Sequence, residues 1–209
     1  MIAPSAVLNR VTGIMPEEMT ETDFQHVIDC HAKAALRVRQ AGFDAVQIHA
    51  AHGYLLSQFL TPYYNRRTDR YGGTLHNRAR LIYEVVAAVR RAVGEDYPCL
   101  LYTSPSPRNG ITQSFPHIAR AIEKQSYFKE QVSEIARHIT TPLILVGGNR
   151  NIEVMDDLLN DKNIPLFSLA RTLLAEPDLI NKWEANPNYV PKCVACNKCG
   201  ETTPHSCIL

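Results

Sequence analysis

Residues 44–83 read DAVQIHAAHGYLLSQFLTPYYNRRTDRYGGTLHNRARLIY, and this stretch decides the fold. An apolar strand over residues 43–49 ends at His49, and His52 and Tyr54 follow it closely. Functional side chains collect where a buried parallel strand ends, because the scaffold fixes their positions while the next loop leaves them accessible. The stretch therefore predicts a βα unit that carries a functional site at the carboxyl end of its strand.

His49, His52 and Tyr54 form an H-x-x-H-x-Y group with a definite chemistry. Two imidazoles hold and polarise an oxygen, and donors already in place stabilise negative charge that develops on it. A tyrosine, with an unperturbed pKa near ~10, is suited to deliver a proton. We predict a catalytic, substrate-binding role for His49 and His52 and an acid role for Tyr54; the alternative is a structural role, which is common for a single histidine.

Helical and strand patterns alternate along the rest of the chain. Met1 to Met19 is predicted to be irregular, and Arg67 and Asp69 are predicted to organise the loop after the His–Tyr group. Predicted helices cover residues 20–41, 77–93, 128–139, 154–159 and the stretch after Pro177, and predicted strands cover 43–49, 99–101, 142–146 and 164–170. This order favours an α/β fold with about four βα units and a parallel sheet. The continuous apolar run 142–146 is typical of a strand covered on both faces.

Two later strand ends carry groups that suit an anion. Gly147, Gly148 and Asn149 follow one strand, and Ala170 and Arg171 follow the next; we call these five residues the predicted phosphate cradle. Glycines let backbone N–H groups approach a phosphate, and an arginine adds charge-assisted hydrogen bonds. The alternative is a plain glycine turn with a surface arginine. A Rossmann site fits less well, because G-x-G-x-x-G spacing is missing.

The long motif from His49 through the R-T-D-R-Y-G-G segment resembles the Old Yellow Enzyme family of FMN-dependent ene-reductases, also called the NADH:flavin oxidoreductase family. The resemblance implies a partial TIM (β/α)8 barrel, FMN as cofactor, NADH or NADPH as reductant, and reduction of activated C=C bonds of α,β-unsaturated carbonyl compounds. It implies that His49 and His52 bind the substrate carbonyl oxygen, that Tyr54 protonates the α-carbon, and that the predicted phosphate cradle holds the FMN phosphate. Ala170 stands where the family usually has glycine.

The resemblance also suggests an incomplete barrel. It implies a chain that begins after the family's third strand, with a partial-barrel domain over residues 1–190 and a cysteine-containing tail over 191–209. Residues 100–125 depart from the family, and Tyr102 to Arg108 resembles a translated sequencing adapter whose two prolines cannot continue an interior strand. We therefore expect a truncated, chimeric reading frame, and a nonfunctional gene fragment is one alternative.

Four of the six cysteines lie in the tail, at Cys193, Cys196, Cys199 and Cys207. Closely spaced thiolates bind zinc or an iron–sulfur cluster. The resemblance to 2,4-dienoyl-CoA reductases implies a [4Fe–4S] cluster on C-x2-C-x3-C, but here the second gap has two residues, and other relatives keep a similar turn without a cluster. The alternatives are thus a [4Fe–4S] cluster, a small zinc-binding module that includes His205, or no metal.

Composition excludes several classes of protein. The chain has 45% hydrophobic and 21% charged residues, as is usual for a globular protein. Its net charge of +1 shows no excess of basic residues of the kind that nucleic-acid-binding proteins have. No apolar run reaches the ~18 residues of a membrane span, and no signal segment opens the chain. We expect a cytoplasmic protein that acts on a small molecule, without a nucleic-acid or membrane partner; the oligomeric state stays open.

Overall fold

Helices and strands alternate through the computed structural model, which describes residues 1–9, 13–103, 125–196 and 198–208. The elements are β1 (Ile2–Ala3), β2 (Glu17–Glu18), α1 (Glu21–Gln40), β3 (Val46–Ala50), α2 (Leu55–Leu60), α3 (Leu75–Val93), β4 (Cys99–Thr103), α4 (Lys129–Ala136), β5 (Leu143–Val146), α5 (Ile152–Lys162), β6 (Leu166–Ser168), α6 (Arg171–Ala175), α7 (Leu179–Ala185) and a 3₁₀ turn (Lys198–Gly200). Among these helices, none is long and apolar enough to cross a bilayer.

The main sheet has four parallel strands in the order β3-β4-β5-β6. Neighbours in the chain are therefore neighbours in the sheet, and helices connect them, which is the arrangement of one arc of a (β/α)8 barrel. All four carboxyl ends lie at the same edge. The prediction of a partial barrel with about four βα units is confirmed.

The sheet is covered mainly on one face by the described residues. Ile48, Leu101 and Leu145 lie on the helix side and are buried. In the other set, His49 pairs with Tyr102 and Tyr102 with Ile144, and these three side chains are exposed or only partly buried. The prediction that residues 142–146 are covered on both faces was wrong for the described part of the chain, because alternate residues of β5 lie on this more open face.

The first nineteen residues contain a short pairing that the sequence pattern missed. Ile2 pairs with Glu17 and Ala3 with Glu18 in parallel register. The Met19 N–H donates to the Ala3 carbonyl oxygen at 3.0 Å. Two-residue strands are too short for a hydrophobic period, so the prediction of an irregular segment was wrong at these positions.

The loop between α2 and α3 is held by side chains that bond to backbone. The Asn65 amide is buried and donates to the carbonyl oxygens of Phe59 and Tyr71, each at 2.8 Å. Arg67 donates to the carbonyls of Pro4 and Met19, each at 2.9 Å, and pairs with Asp69. These bonds tie the N-terminal segment to the loop, in agreement with the organising role predicted for Arg67 and Asp69.

Strand β4 is longer than the sequence pattern indicated. It continues through Tyr102 and Thr103, and its residues pair with both β3 and β5. The Thr103 hydroxyl also donates to the Ala50 carbonyl at 3.2 Å. The segment predicted to be disturbed from residue 100 onward thus starts as an interior strand. Residues 104–124, with both prolines of the adapter-like string, lie outside the described residues.

Candidate active site

The chain leaves β3 through a tight turn from Ala51 to Tyr54. His52 and Gly53 both have positive φ, at 58° and 79°, and the Tyr54 N–H donates to the Ala51 carbonyl at 3.2 Å. Two successive positive φ angles define a type I′ turn, and histidine is among the residues that tolerate this region best. The Ser57 hydroxyl donates to the carbonyls of Ala51 and Tyr54, which fixes the turn. The sequence therefore holds the His–Tyr group rigidly at the strand end.

The two histidines bond to each other. His49 Nε2 and His52 Nδ1 are 3.2 Å apart, and the Ala51 N–H donates to His49 Nδ1 at 3.3 Å. Because His49 Nδ1 accepts this hydrogen bond, the neutral ring of His49 carries its proton on Nε2. The Nε2–H group then donates a hydrogen bond to His52 Nδ1. His52 then carries its own proton on Nε2. The pair is a directed chain of donors that ends on His52, rather than two independent donors.

The environment of His52 disfavours the protonated form of its ring. Burial, and secondarily repulsion from His49 when that ring is protonated, hold the pKa of His52 below its ordinary value. Tyr54 packs edge-on against His49, with ring centroids 5.2 Å apart, and 55% of its surface is exposed. The Tyr102 ring also packs against both imidazoles, with its centroid 5.5 Å from that of His49 and 5.6 Å from that of His52. The predicted acid and the two histidines are therefore one cluster, accessible from outside.

The glycine turn after β5 packs against an aromatic ring. Gly147 and Gly148 have φ angles of 112° and 75°, and a Cβ at either position would lie 2.9 Å or less from Tyr127 ring atoms. Burial raises the pKa of Tyr127, while the charge of Arg171 and a hydrogen bond from it act in the opposite direction. Tyr127 thus connects the glycines to Arg171, and both glycines are required for this packing.

Asn149 links the ends of two strands. Its side chain is buried, and Nδ2 donates to the carbonyls of Leu145 at 2.7 Å and Ser168 at 3.1 Å. Its Oδ1 accepts from the Ser126 hydroxyl at 2.9 Å. Because these bonds occupy the amide, any contact of Asn149 with a phosphate falls to its backbone.

A cavity of about 590 Å³ opens where the strand ends meet. This size is within the range of small-molecule sites. The lining includes His52 and Tyr102 from the β3 and β4 side, all five residues of the predicted phosphate cradle, and Cys193, Cys199 and His205 from the tail. His49 is next to it through its contacts with His52 and Tyr102, and Tyr54 contacts His49 in turn.

The charge in this cavity is positive. Arg150 and Arg171 both line it, and among the described residues of the lining none is an aspartate or glutamate. Burial lowers the pKa of Arg150; Cys193 opposes that change, and the like charge of Arg171 adds to it. Two neighbouring guanidinium groups in the lining of one cavity favour an anion.

Ala170 lies at the exposed rim of this cavity, directly before α6. Ala170 is exposed and belongs to the lining of the cavity, so its methyl group is not packed into the protein interior. Together, the glycine turn, Ala170, Arg150 and Arg171 fit a phosphate group. The donor set is backbone N–H and guanidinium, which are typical phosphate ligands.

A buried carboxylate fixes the start of the tail. Glu176 accepts from the Tyr189 hydroxyl at 2.5 Å, the Lys192 N–H at 2.6 Å and the Lys182 ammonium at 2.9 Å. Arg150 then donates to the Cys193 carbonyl at 2.7 Å. The tail is therefore docked beside the cavity. Burial acts to raise the pKa of Glu176, but the three hydrogen bonds outweigh it and lower that pKa to about 2.

This lowered pKa predicts acid sensitivity. Glu176 stabilises the folded state above its unfolded value of 4.5, and we expect that contribution to be lost as the pH falls from there toward about 2. The free energy of unfolding should decrease by up to ~1.4 kcal/mol per pH unit from this carboxyl alone. Urea unfolding at several pH values between ~5 and ~3.5 tests it, with Glu176→Gln as control. Equal pH slopes in the two proteins would contradict the assignment.

The four tail cysteines surround a second, much smaller cavity of about 10 Å³, which Arg171 also lines. Within the described residues, no three of their sulfur atoms lie within 4.8 Å of one another. A single tetrahedral zinc ion requires a tighter set, since Zn–S bonds are ~2.3 Å long. The arrangement as it stands does not fit the predicted zinc module, and it leaves the iron–sulfur prediction open.

Three residues of the site were not singled out from the sequence. Tyr102 lies at the strand position paired with His49, Tyr127 fills the space above the glycine turn, and Arg150 directly follows Asn149. The position of Arg150 after the G-G-N turn was a usable signal for a second phosphate ligand. Tyr102 and Tyr127 carry no local motif, because strand register and packing between distant segments bring them here.

Comparison with known proteins identifies the family. Residues 3–119 match the model of the NADH:flavin oxidoreductase / NADH oxidase family. The chain belongs to this family, which confirms the resemblance. The predicted cofactors, FMN with NADH or NADPH, are those of a family whose named members include NADH oxidases and NADPH dehydrogenases.

Individual relatives cover most of this chain. A metal reductase of Desulforamulus reducens is 33% identical over 94% of the chain and 34% of its own length. An NADPH dehydrogenase of Clostridium acetobutylicum is 32% identical over 84% of the chain and 59% of its own length. The chain thus spans between a third and three-fifths of these two relatives.

A solved structure, 2-naphthoyl-CoA reductase in complex with 2-naphthoyl-CoA, superimposes with a TM-score of 0.60 at 24% identity. The match covers 94% of this chain and 34% of that one. At this identity the likeness concerns the fold, and it confirms the α/β fold class.

Proposed function

We propose that this chain carries the FMN phosphate site and the substrate-binding group of an NAD(P)H:flavin oxidoreductase that reduces activated C=C bonds of α,β-unsaturated carbonyl compounds. The observation that carries the proposal is the shared cavity, in which His52, the predicted phosphate cradle and Arg150 line one space of about 590 Å³. Family membership supports the use of a flavin and a nicotinamide reductant.

Gly147, Gly148, Ala170, Arg150 and Arg171 would hold the FMN phosphate. The positive φ angles of the two glycines and the two guanidinium groups in one lining suit a doubly charged anion. When bound, FMN would supply the hydride-transfer chemistry between NADH or NADPH and the substrate.

The His–Tyr group would serve the substrate. His52 donates from Nε2 to the carbonyl oxygen, which polarises the conjugated double bond. His49 holds His52 in the required tautomer through the 3.2 Å bond between the rings. Tyr54, in edge contact with His49, donates the proton that completes the addition.

Flavin affinity tests the phosphate site. We expect purified protein to bind FMN with a flavin absorption spectrum, and Arg171→Ala to weaken FMN binding about tenfold to hundredfold, because charge-assisted hydrogen bonds contribute ~1.5–3 kcal/mol. Riboflavin, which lacks the phosphate, should bind both proteins equally. Arg91→Ala, on the exposed side of α3, is the control. Unchanged FMN affinity in Arg171→Ala, or an equal loss for riboflavin, contradicts the proposal.

The tail cysteines support a second candidate, an iron–sulfur cluster. All four line one small cavity of about 10 Å³, about the space of one water molecule, so a cluster requires the tail to open around it. Cysteine thiolates in sets of four are the usual ligands of such clusters. The same absorption spectrum, together with iron and labile sulfide analysis of anaerobically purified protein, separates this candidate from a tail without metal.

A further inference from the structure

Three metal-binding side chains meet away from the cavity. His76 lies in the first turn of α3, Glu134 lies in α4, and His138 follows α4 closely. His76 Nδ1 and His138 Nε2 are 3.3 Å apart, and His138 Nε2 is 3.1 Å from Glu134 Oε1. All three ligand atoms lie within 4.8 Å of one another.

Hydrogen bonding alone does not account well for this cluster. His138 Nε2 faces both an imidazole nitrogen and a carboxylate oxygen, yet a ring nitrogen carries at most one proton. If the proton on His138 Nε2 is donated to Glu134, that nitrogen has no lone pair left to accept a hydrogen bond from His76 Nδ1. It also has no second proton to donate to His76 Nδ1. A divalent cation accepts a lone pair from each of the three atoms at once.

The spacing agrees with zinc. In a tetrahedral site with Zn–N bonds of 2.0–2.1 Å, neighbouring ligand atoms are about 3.3 Å apart. The distances from His138 Nε2 to His76 Nδ1 and to Glu134 Oε1, 3.3 and 3.1 Å, match this separation between ligand atoms. Glu134 and His138 are four residues apart, which brings them to the same side of α4.

The surroundings keep the ligands in place. Glu134 Oε2 pairs with Arg137 at 2.7 Å, which leaves Oε1 directed at His138. The Tyr83 ring contacts both imidazoles, at 5.5 and 5.3 Å.

We propose that His76, Glu134 and His138 bind a zinc ion that joins α3 to α4. Two imidazoles and a carboxylate are a known zinc ligand set, and the fourth position is left for water. The site is separate from the flavin cavity and from the tail cysteines, so this proposal is independent of the proposed function.

Zinc titration of the metal-free protein by calorimetry tests the site. We expect one zinc per chain at this cluster, and at least tenfold weaker binding in His76→Gln and in His138→Gln, since even the loss of a group behind a ligand costs ten- to a hundredfold. His31→Gln, on α1, removes a histidine outside the cluster and should leave the affinity unchanged. A variant with serine at the four tail cysteines should also retain the site.

Cobalt gives a second readout on the unaltered protein. Bound Co²⁺ should show tetrahedral absorption that persists in the tail-serine variant and is lost in His138→Gln. The proposal is overturned if zinc does not bind at micromolar concentration, if the two cluster variants bind as tightly as the parent protein, or if the only cobalt signal is a thiolate charge-transfer band that disappears with the tail cysteines.

Discussion

Tyr54→Phe is expected to slow reoxidation of the reduced flavin by an enone about 10²- to 10⁴-fold, the usual contribution of a positioned general acid. Reduction of the flavin by NADH or NADPH should be unchanged, because the phenol has no role in that half-reaction. Phenylalanine keeps the edge contact with His49, so the imidazole pair stays in place. Stopped-flow absorbance of the two half-reactions measures the difference directly.

Tyr63→Phe is the matched control, because it removes a hydroxyl from a tyrosine of the following loop that has no contact with either imidazole among the described residues. It should leave both half-reactions unaltered. If Tyr54→Phe slows both half-reactions equally, or neither, the proton donor must be a different group. A variant that binds FMN normally while losing only enone turnover would support the assigned role.

Gly72→Ala is expected to destabilise the fold by about 4 kcal/mol or more, a size reserved for changes that the structure cannot absorb. A Cβ at this position would lie 1.9 Å from the Arg67 carbonyl oxygen and 2.4 Å from its carbonyl carbon. These are backbone atoms, and Arg67 is anchored to Pro4, Met19 and Asp69, so the loop has no easy way to move. Urea unfolding followed by circular dichroism gives the change.

Gly200→Ala provides the comparison, since a Cβ there meets no atom within 4 Å. We expect this variant to unfold within ~0.5 kcal/mol of the parent protein, as is usual for surface substitutions. A Gly72→Ala protein as stable as Gly200→Ala would show that the loop rearranges, and the anchoring role given to Arg67 would then be wrong.

The sequence was sufficient to predict which strand ends come together. Alternating helix and strand patterns predicted a parallel sheet, and parallel strands place their carboxyl ends at one edge, so His52 and Arg171 were expected to approach each other. They line the same cavity, although they are more than a hundred residues apart in the chain. The functional roles of the site residues stay predictions until the variants are measured.

The internal arrangement of the site was beyond sequence reasoning. The bond between His49 and His52 depends on the positive φ of His52, which a motif does not encode. The two hydrogen bonds that the Asn149 amide donates to Leu145 and Ser168 depend on β5 and β6 being adjacent. Such features arise from tertiary packing, and local patterns carry no record of it.

The docking of the tail has a consequence for how such a segment evolves. Arg150 recognises a main-chain carbonyl at Cys193, and Glu176 recognises a main-chain amide at Lys192. Every residue has a main-chain carbonyl, and every residue except proline has a main-chain N–H. These two hydrogen bonds therefore do not depend on which side chains stand at positions 192 and 193. Cysteines in this segment can therefore be replaced by other residues during evolution while the segment stays docked beside the cavity.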